Sequence, residues 1–152
     1  MTGWEWTQQD PQEERGRILL VESDPAERDR LGSWLQAAGF DVLTCPGPRE
    51  PDFTCIGTKY ETCPLAQVAD AVVLDLLLES DMLMTGTTGW ELLLYYGSLG
   101  KPVVALSDAN DAVRPTPGGA VALVRRPPER GALVDAVMQV GPGAFERRRR
   151  PR

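Results

Sequence analysis

The chain has 152 residues, of which 42% are hydrophobic and 25% charged, the composition of an ordinary globular domain. Its formal net charge of −6 argues against broad nucleic-acid binding by the folded body, because such proteins carry a basic surface. The sequence has no histidine, which excludes chemistry that needs an imidazole base or imidazole metal ligand. No secretory signal and no apolar run near the roughly 20 residues of a membrane span is visible, so we expect a cytoplasmic protein without membrane contact.

The first part of the chain alternates strand and helix patterns. Residues 1–16 are polar and are predicted to form a flexible extension. Residues 17–22 form an apolar strand that ends in an acid, and Asp24 followed by a proline is a strong helix start. Gly39 stands where a helix-ending glycine is expected, and a second strand covers residues 40–45.

The central strand follows an irregular segment. Four prolines make a long helix improbable over residues 46–70, where we expect at most a short helix near 65–68. Residues 71–75 are then apolar without alternation, the pattern of a strand covered on both faces of its sheet. An ionised Asp75 in this run is costly unless it lies at the end of the strand, where a charge, a metal or water can reach it.

The remaining elements complete an alternating series of strands and helices. In order, the sequence predicts a long loop over 79–88, a helix over 89–96, a strand over 101–107, an irregular connection over 108–119, a strand over 120–125 and a helix opened by Pro127 and Pro128. Five apolar strands alternating with helical connections indicate a doubly wound parallel α/β sheet whose second and fourth helical connections are irregular. This body spans residues 17–141, and residues 142–152 are predicted to be a basic, disordered tail.

Four polar residues end or directly follow the predicted strands: Glu22, Asp75, Ser107 and Arg126. The carboxyl ends of parallel strands meet at one edge of a sheet, so we expect these side chains to gather there. Such a set indicates a phosphoryl site, with Asp75 as the nucleophile and the hydroxyl and the cation holding phosphoryl oxygens. Glu22 would help to place Mg²⁺.

Over roughly residues 17–140 the chain resembles the receiver domains of two-component response regulators. The motifs that carry the resemblance are Leu-Leu-Val-Glu22-Ser-Asp-Pro, Val-Val-Leu-Asp75-Leu, Val-Ala-Leu-Ser107 and Val-Arg-Arg126-Pro. It implies a flavodoxin-like sheet with strand order 2-1-3-4-5 and a non-enzymatic signalling module of a phosphorelay. We expect this module to stand alone, because only the short tail follows it. It also implies that Asp75 is the phosphoacceptor, Ser107 the switch hydroxyl and Arg126 the cation at the family's lysine position.

The sequence departs from the family's pattern at the metal site, where Ser23 replaces the usual second acid. Glu22 and Asp75 alone would make a weak Mg²⁺ site, since the expected duty of Asp24 is the helix cap. The partners implied are a histidine kinase or a downstream regulator, bound by docking with or without phosphorylation. A second copy of the chain is left open as a partner.

Two alternatives to a signalling receiver are a phosphatase and a cysteine-based regulatory protein. A phosphatase with an Asp nucleophile of the haloacid-dehalogenase type would need a second Asp two positions after Asp75, where this chain has Leu77. Cys45, Cys55 and Cys63 could instead bind a metal or sense redox state on the receiver scaffold. They contain no Cys-x-x-Cys pair, and free cysteines usually pack as small hydrophobic residues.

The tail is the one strongly basic segment, with five arginines between residues 147 and 152. Runs of this kind are usually solvated, disordered ends. Attachment to nucleic acid or to an acidic partner is the alternative, and such binding would weaken with salt.

Overall fold

The described parts of the chain, residues 16–47, 63–77, 89–108 and 121–140 of a computed structural model, fold around one parallel sheet. The elements are β1 (Arg17–Val21), α1 (Pro25–Ala37), β2 (Asp41–Cys45), α2 (Pro64–Val68), β3 (Ala71–Asp75), α3 (Gly89–Ser98), β4 (Val103–Ser107), β5 (Val121–Arg125) and α4 (Arg130–Val140). All four strand pairings are parallel, and the strand order is β2-β1-β3-β4-β5. The predicted fold class is therefore confirmed.

Both faces of the central strands β1, β3 and β4 are covered, as the unalternating apolar pattern predicted. Alternate residues of each strand point to opposite faces, so β1 sends Ile18 and Leu20 to one face and Leu19 and Val21 to the other. The first face packs against α1 and α4, and the second packs against α2 and α3. β3 is buried along its whole length, and its last residue is Asp75. The sheet therefore holds this acid at a fixed place between two packed layers.

Helix α1 has the caps that the sequence predicted. The Asp24 side chain accepts a hydrogen bond from the backbone N–H of Ala26 at 3.1 Å. At the other end Gly39 has a φ of 99°, a left-handed conformation that a residue with a side chain rarely adopts. The following residue, Phe40, donates its N–H to the carbonyl of Leu35 at 3.1 Å, which closes the helix. The two caps define where α1 begins after β1 and where the chain turns toward β2.

Two connections test the finer predictions. The short helix expected near residues 65–68 is present as α2. The last helix begins at Arg130 rather than at the two prolines, so that prediction was wrong. The residue before a proline is disfavoured in helical conformation, which applies to Pro127 because Pro128 follows it. The first turn of α4 is instead closed by the Leu133 N–H, which donates to the carbonyl of Glu129 at 3.0 Å.

Several predictions lie outside the described residues. These are the extension over residues 1–15, most of the irregular segment before α2, the loop over 79–88, the connection over 109–119 and the basic tail. In the part of the chain that is described, no helix is long and apolar enough to span a membrane.

Candidate functional site

The carboxyl ends of β1 and β3 place two acids side by side. Val21 pairs with Leu74 in the parallel register, so the next residues, Glu22 and Asp75, lie at the same level of the sheet. Alternation along each strand directs both side chains to the face covered by α1 and α4. Each residue is only 2% exposed, although both are acids. Two buried carboxyls at neighbouring strand ends need partners, and these partners define the site.

A cleft opens at this edge of the sheet, above the ends of β1 and β3. It is lined by Glu22, Ser23, Asp24, Glu27, Asp75, Leu77, Asp108, Arg126, Pro127 and Pro128. Five of these residues carry carboxyl groups and one carries a guanidinium. Three of the four residues predicted to gather at the site, Glu22, Asp75 and Arg126, therefore line one cleft.

Two contacts hold Oδ1 of Asp75. The backbone N–H of Leu77 donates to Oδ1 at 2.9 Å, which closes the turn after β3. Nη1 of Arg126 lies 3.1 Å from the same oxygen. Nη1 makes no hydrogen bond within the described residues, so the contact is an ion pair. The ion pair compensates a carboxylate that would otherwise be buried without a counter-charge.

Arg126 is itself held from two sides. Its backbone N–H donates to the carbonyl of Ser107 at 3.0 Å, which joins the ends of β4 and β5. Its side chain, 25% exposed, has Nε at 3.7 Å from Oδ1 of Asp108. Asp108 is 64% exposed. The guanidinium thus lies between a buried acid and an acid at the rim of the cleft.

Glu22 is fixed through its backbone. Its N–H donates to the carbonyl of Cys45 at 3.0 Å, and its carbonyl accepts from Nη1 of Arg28 at 2.9 Å. Its side chain has a hydrogen bond with Asp75, while Oε2 is buried without a hydrogen-bond partner among the described residues. Burial, followed by the hydrogen bond and charge of Asp75, raises the pKa of Glu22 to about 9. The folded site therefore favours the protonated form of Glu22.

Ser107 occupies the same edge at a different position. The register partner of Asp75 is Leu106, so Ser107 lies one step further along β4. It is not among the residues that line the cleft. Alternation places it with Val103 on the face covered by α2 and α3. Ser107 therefore ends β4 at this edge of the sheet without lining the cleft, and its role as a switch stays a prediction.

The described residues around the two acids differ from the ligand set that a divalent cation prefers. Magnesium prefers several oxygen ligands in octahedral geometry. Here Oδ1 of Asp75 already has Arg126 beside it, and Oδ1 of Asp24 accepts the helix-cap hydrogen bond. Ser23 contributes a neutral hydroxyl where an acid was expected. No group of three or more acid, cysteine or histidine side chains suited to a metal occurs among the described residues. Magnesium at Glu22 and Asp75 stays a prediction.

Sequence patterns did not predict that Asp108 and Glu27 line the cleft. Asp108 directly follows the predicted switch residue, and that adjacency could have signalled its contact with Arg126. Glu27 lines the cleft from α1, makes an ion pair with Arg30 and contributes to the raised pKa of Glu22. Acids on an exposed helix surface are common, so the sequence gives no distinct signal for Glu27.

The cysteine hypothesis is tested only in part. Cys45 and Cys63 are partly buried thiols that pack at the edge of the second core cluster. This is the packing expected of a small hydrophobic residue. Cys55 lies outside the described residues, so the three cysteines together stay an untested prediction.

Known proteins similar to this chain are found among solved structures. No protein-family model and no curated protein matches the chain. Response regulator StyR is 30% identical with a TM-score of 0.60, and the match covers 87% of this chain and 62% of that one. The chain has the receiver-domain fold. The predicted resemblance to response-regulator receiver domains is thereby confirmed.

Other receiver-domain structures support the same conclusion. Chemotaxis protein CheY4 of Vibrio cholerae is 18% identical with a TM-score of 0.58, and the match covers 82% of this chain and 98% of that one. The signal receiver domain of a histidine kinase from Syntrophus aciditrophicus is 21% identical with a TM-score of 0.60, with coverages of 84% and 91%. At these identities the likeness concerns the fold alone. The receiver-like chain spans less than two thirds of the StyR chain that it matches.

Proposed function

We propose that the chain is a receiver-like module of phosphorelay signalling, in which Asp75 accepts a phosphoryl group and the folded domain acts by docking to a protein partner. The observation that carries this proposal is the position of Asp75. It ends the central strand, is 2% exposed, faces the cleft and has Arg126 at 3.1 Å. A carboxylate with an adjacent cation is the arrangement that phosphoryl transfer to an aspartate requires.

The proposed reaction is a transfer between two side chains. A carboxylate oxygen of Asp75 attacks the phosphorus of a phosphohistidine on a partner kinase. The new P–O bond forms as the P–N bond breaks, and the bonding electron pair leaves with the imidazole, which takes up a proton. Arg126 would stabilise the charge that develops on the phosphoryl oxygens.

The proposed signal follows from what Arg126 contacts. A phosphoryl group on Asp75 would compete for the guanidinium that now lies beside Oδ1. Because the backbone of Arg126 is bonded to the carbonyl of Ser107, a shift of Arg126 would be felt at the ends of β4 and β5. A partner that docks there would distinguish the two forms of the domain.

Exposure of the purified chain to a small phosphodonor, acetyl phosphate with Mg²⁺ present, tests the transfer. We expect the intact mass of the wild type to increase by one phosphoryl group and that of Asp75→Asn to stay unchanged. The matched control is Asp29→Asn, which alters an exposed acid of α1 and should be phosphorylated as the wild type is. A wild type that gains no phosphoryl group from either a phosphodonor or a histidine kinase would end the proposal.

Docking needs its own experiment. Wild type and Asp75→Asn, each immobilised, are used to capture partners from a lysate of the source cells with and without the phosphodonor. A partner that the wild type retains only with the phosphodonor would indicate phosphorylation-dependent docking. Equal capture by both proteins under both conditions would assign docking to the fold rather than to the state of Asp75.

A further inference from the structure

Arg126 contacts two carboxylates with different atoms of one guanidinium. Nη1 lies 3.1 Å from Asp75 at the bottom of the cleft, and Nε lies 3.7 Å from Asp108 at its rim. A guanidinium is a planar fork with five N–H donors, so it can serve two acids and still offer donors to a third group. A lysine side chain ends in a single ammonium nitrogen on a flexible stem and cannot contact two acids through two different nitrogen atoms.

Two residues near Asp75 differ from the acidic ligands that a divalent cation would use. Ser23 brings no charge, and Asp24 caps α1 through the Ala26 N–H. The charged group beside Asp75 among the described residues is the guanidinium of Arg126. The positive charge at this carboxylate is thus already part of the chain.

We propose that Arg126, positioned by Asp108, supplies at Asp75 the positive charge for which a receiver site would otherwise need a divalent cation, so that the site binds a phosphoryl-like anion without metal. This inference rests on the proposed function, because the anion is the group that Asp75 would carry. Asp108 is a positioning residue: it touches Arg126 and has no contact of its own with Asp75 among those described.

The effect of the Arg126 charge depends on the low exposure of the Asp75 carboxylate. A charge beside a carboxylate that is 2% exposed acts through a medium of low dielectric constant, where it is far more effective than in water. A phosphoryl group carries about two negative charges, so a guanidinium, with its five N–H donors, is a suitable receptor. The ion pair with Asp108 at 3.7 Å favours the orientation in which the guanidinium faces the cleft.

The test uses beryllofluoride, a phosphoryl mimic whose beryllium is coordinated by an aspartate oxygen. The full chain and its buffers are freed of divalent metal on a chelating resin, and binding is followed by the backbone amide NMR signals of Leu77 and Ser107. We expect these signals to move in the metal-free sample, and we expect added Mg²⁺ to change the affinity by less than about tenfold, the effect of one strong charge-assisted hydrogen bond.

Three variants assign the effect to residues. Arg126→Lys should lower the metal-free affinity by about tenfold or more, because the single ammonium loses the fork geometry. Asp108→Asn should lower it by about two- to fivefold, as expected for a partly exposed ion pair. Arg125→Gln removes an exposed arginine next in sequence and should leave the affinity unchanged. Circular dichroism checks that each variant is folded, and Asp108→Asn, at the surface, tests the proposal even if Arg126→Lys unfolds.

Each outcome separates the inference from the proposed function. Binding that appears only with Mg²⁺ would overturn the inference and leave the proposed function standing. Equal metal-free binding by wild type and Arg126→Lys would also overturn it. Signals that move neither with nor without Mg²⁺ would contradict the proposed function itself.

Discussion

Arg126 and Asp75 form an ion pair at 3.1 Å in which the acid is 2% exposed and the base 25% exposed. The two residues come from β3 and from the turn after β5, which do not pair directly in the sheet. Their contact therefore ties the central strand to the edge strand across β4. Because the acid of this pair is buried, Arg126 contributes to the integrity of the site as well as to its chemistry.

The first prediction concerns this ion pair. Arg126→Met should lower the free energy of unfolding by about 3 kcal/mol, because it leaves the Asp75 carboxylate buried without a counter-charge. The double variant Asp75→Leu/Arg126→Met should lose less than the two single variants together, since it removes both charges. Urea unfolding of the four proteins at neutral pH measures the coupling, and strictly additive losses would contradict the prediction.

The second prediction concerns the pH dependence of stability. The pKa of Glu22 is 4.5 in the unfolded reference and about 9 in the folded protein. Between these values the folded state holds one proton more than the unfolded state at this residue. The stabilisation is complete below pH 4.5 and is lost as the pH rises toward 9, with a slope of up to about 1.4 kcal/mol per pH unit.

Glu22→Gln tests this sign directly. The amide can still donate a hydrogen bond to Asp75 but cannot ionise. From about pH 5 to pH 8 the variant should therefore gain stability relative to the wild type. Glu129→Gln, an exposed acid before α4, is the control and should follow the wild-type curve. Parallel curves for Glu22→Gln and the wild type would show that Glu22 does not carry the extra proton.

The third prediction concerns the close approach of α3 to the end of β3. A Cβ added at Gly89 would lie 2.6 Å from the carbonyl oxygen of Leu76. Leu76 precedes the Leu77 N–H that donates to Asp75, so the backbone around the acceptor would have to move. Gly89→Ala should lower the free energy of unfolding by about 1–3 kcal/mol, as overpacking does, and should shift the NMR signals of Asp75 and Leu77.

A second glycine provides the control for this substitution. Gly131 lies in α4, and a Cβ there would meet nothing within 4 Å. Gly131→Ala should therefore raise the stability by up to about 1 kcal/mol, because alanine favours a helix over glycine. If both alanine variants were equally stable, the contact of Gly89 with Leu76 would have no structural importance.

The fourth prediction separates the helix cap from a metal ligand. Asp24→Ala should lower the free energy of unfolding by about 1 kcal/mol through loss of the hydrogen bond to the Ala26 N–H. Asp24→Asn should retain most of that stability, because an asparagine oxygen can also accept the bond. Asp29→Ala, further along α1, is the control and should change the stability little. A large loss for Asp24→Asn as well would mean that the charge, rather than the cap, is what matters.

Much of the fold and part of the site could be predicted from the sequence, because apolar runs that end in a polar residue mark buried parallel strands. This pattern identified Glu22, Asp75 and Arg126, which the structure brings to one cleft. The position of Ser107 relative to Asp75 depends on the register between β3 and β4, which no local sequence pattern encodes. The contribution of Asp108 was missed because it depends on where the Arg126 side chain points.

The first turn of α4 shows a different kind of failure. Two consecutive prolines read as a helix start, since proline is favoured at the first helical position. The same residues also disfavour helical conformation in the residue before each of them. The second effect prevailed, and α4 begins after Glu129. Where two local rules oppose each other, the sequence alone does not say which one dominates.

The most direct test of the account is to find which carboxylate carries the phosphoryl group. The chain treated with acetyl phosphate is reduced with borohydride, which converts an aspartyl phosphate to homoserine, and the peptides are sequenced by mass spectrometry. The account predicts homoserine at position 75 and at neither Asp24 nor Asp108, although all three line the cleft. Modification at one of those two residues, with Asp75 unchanged, would contradict it.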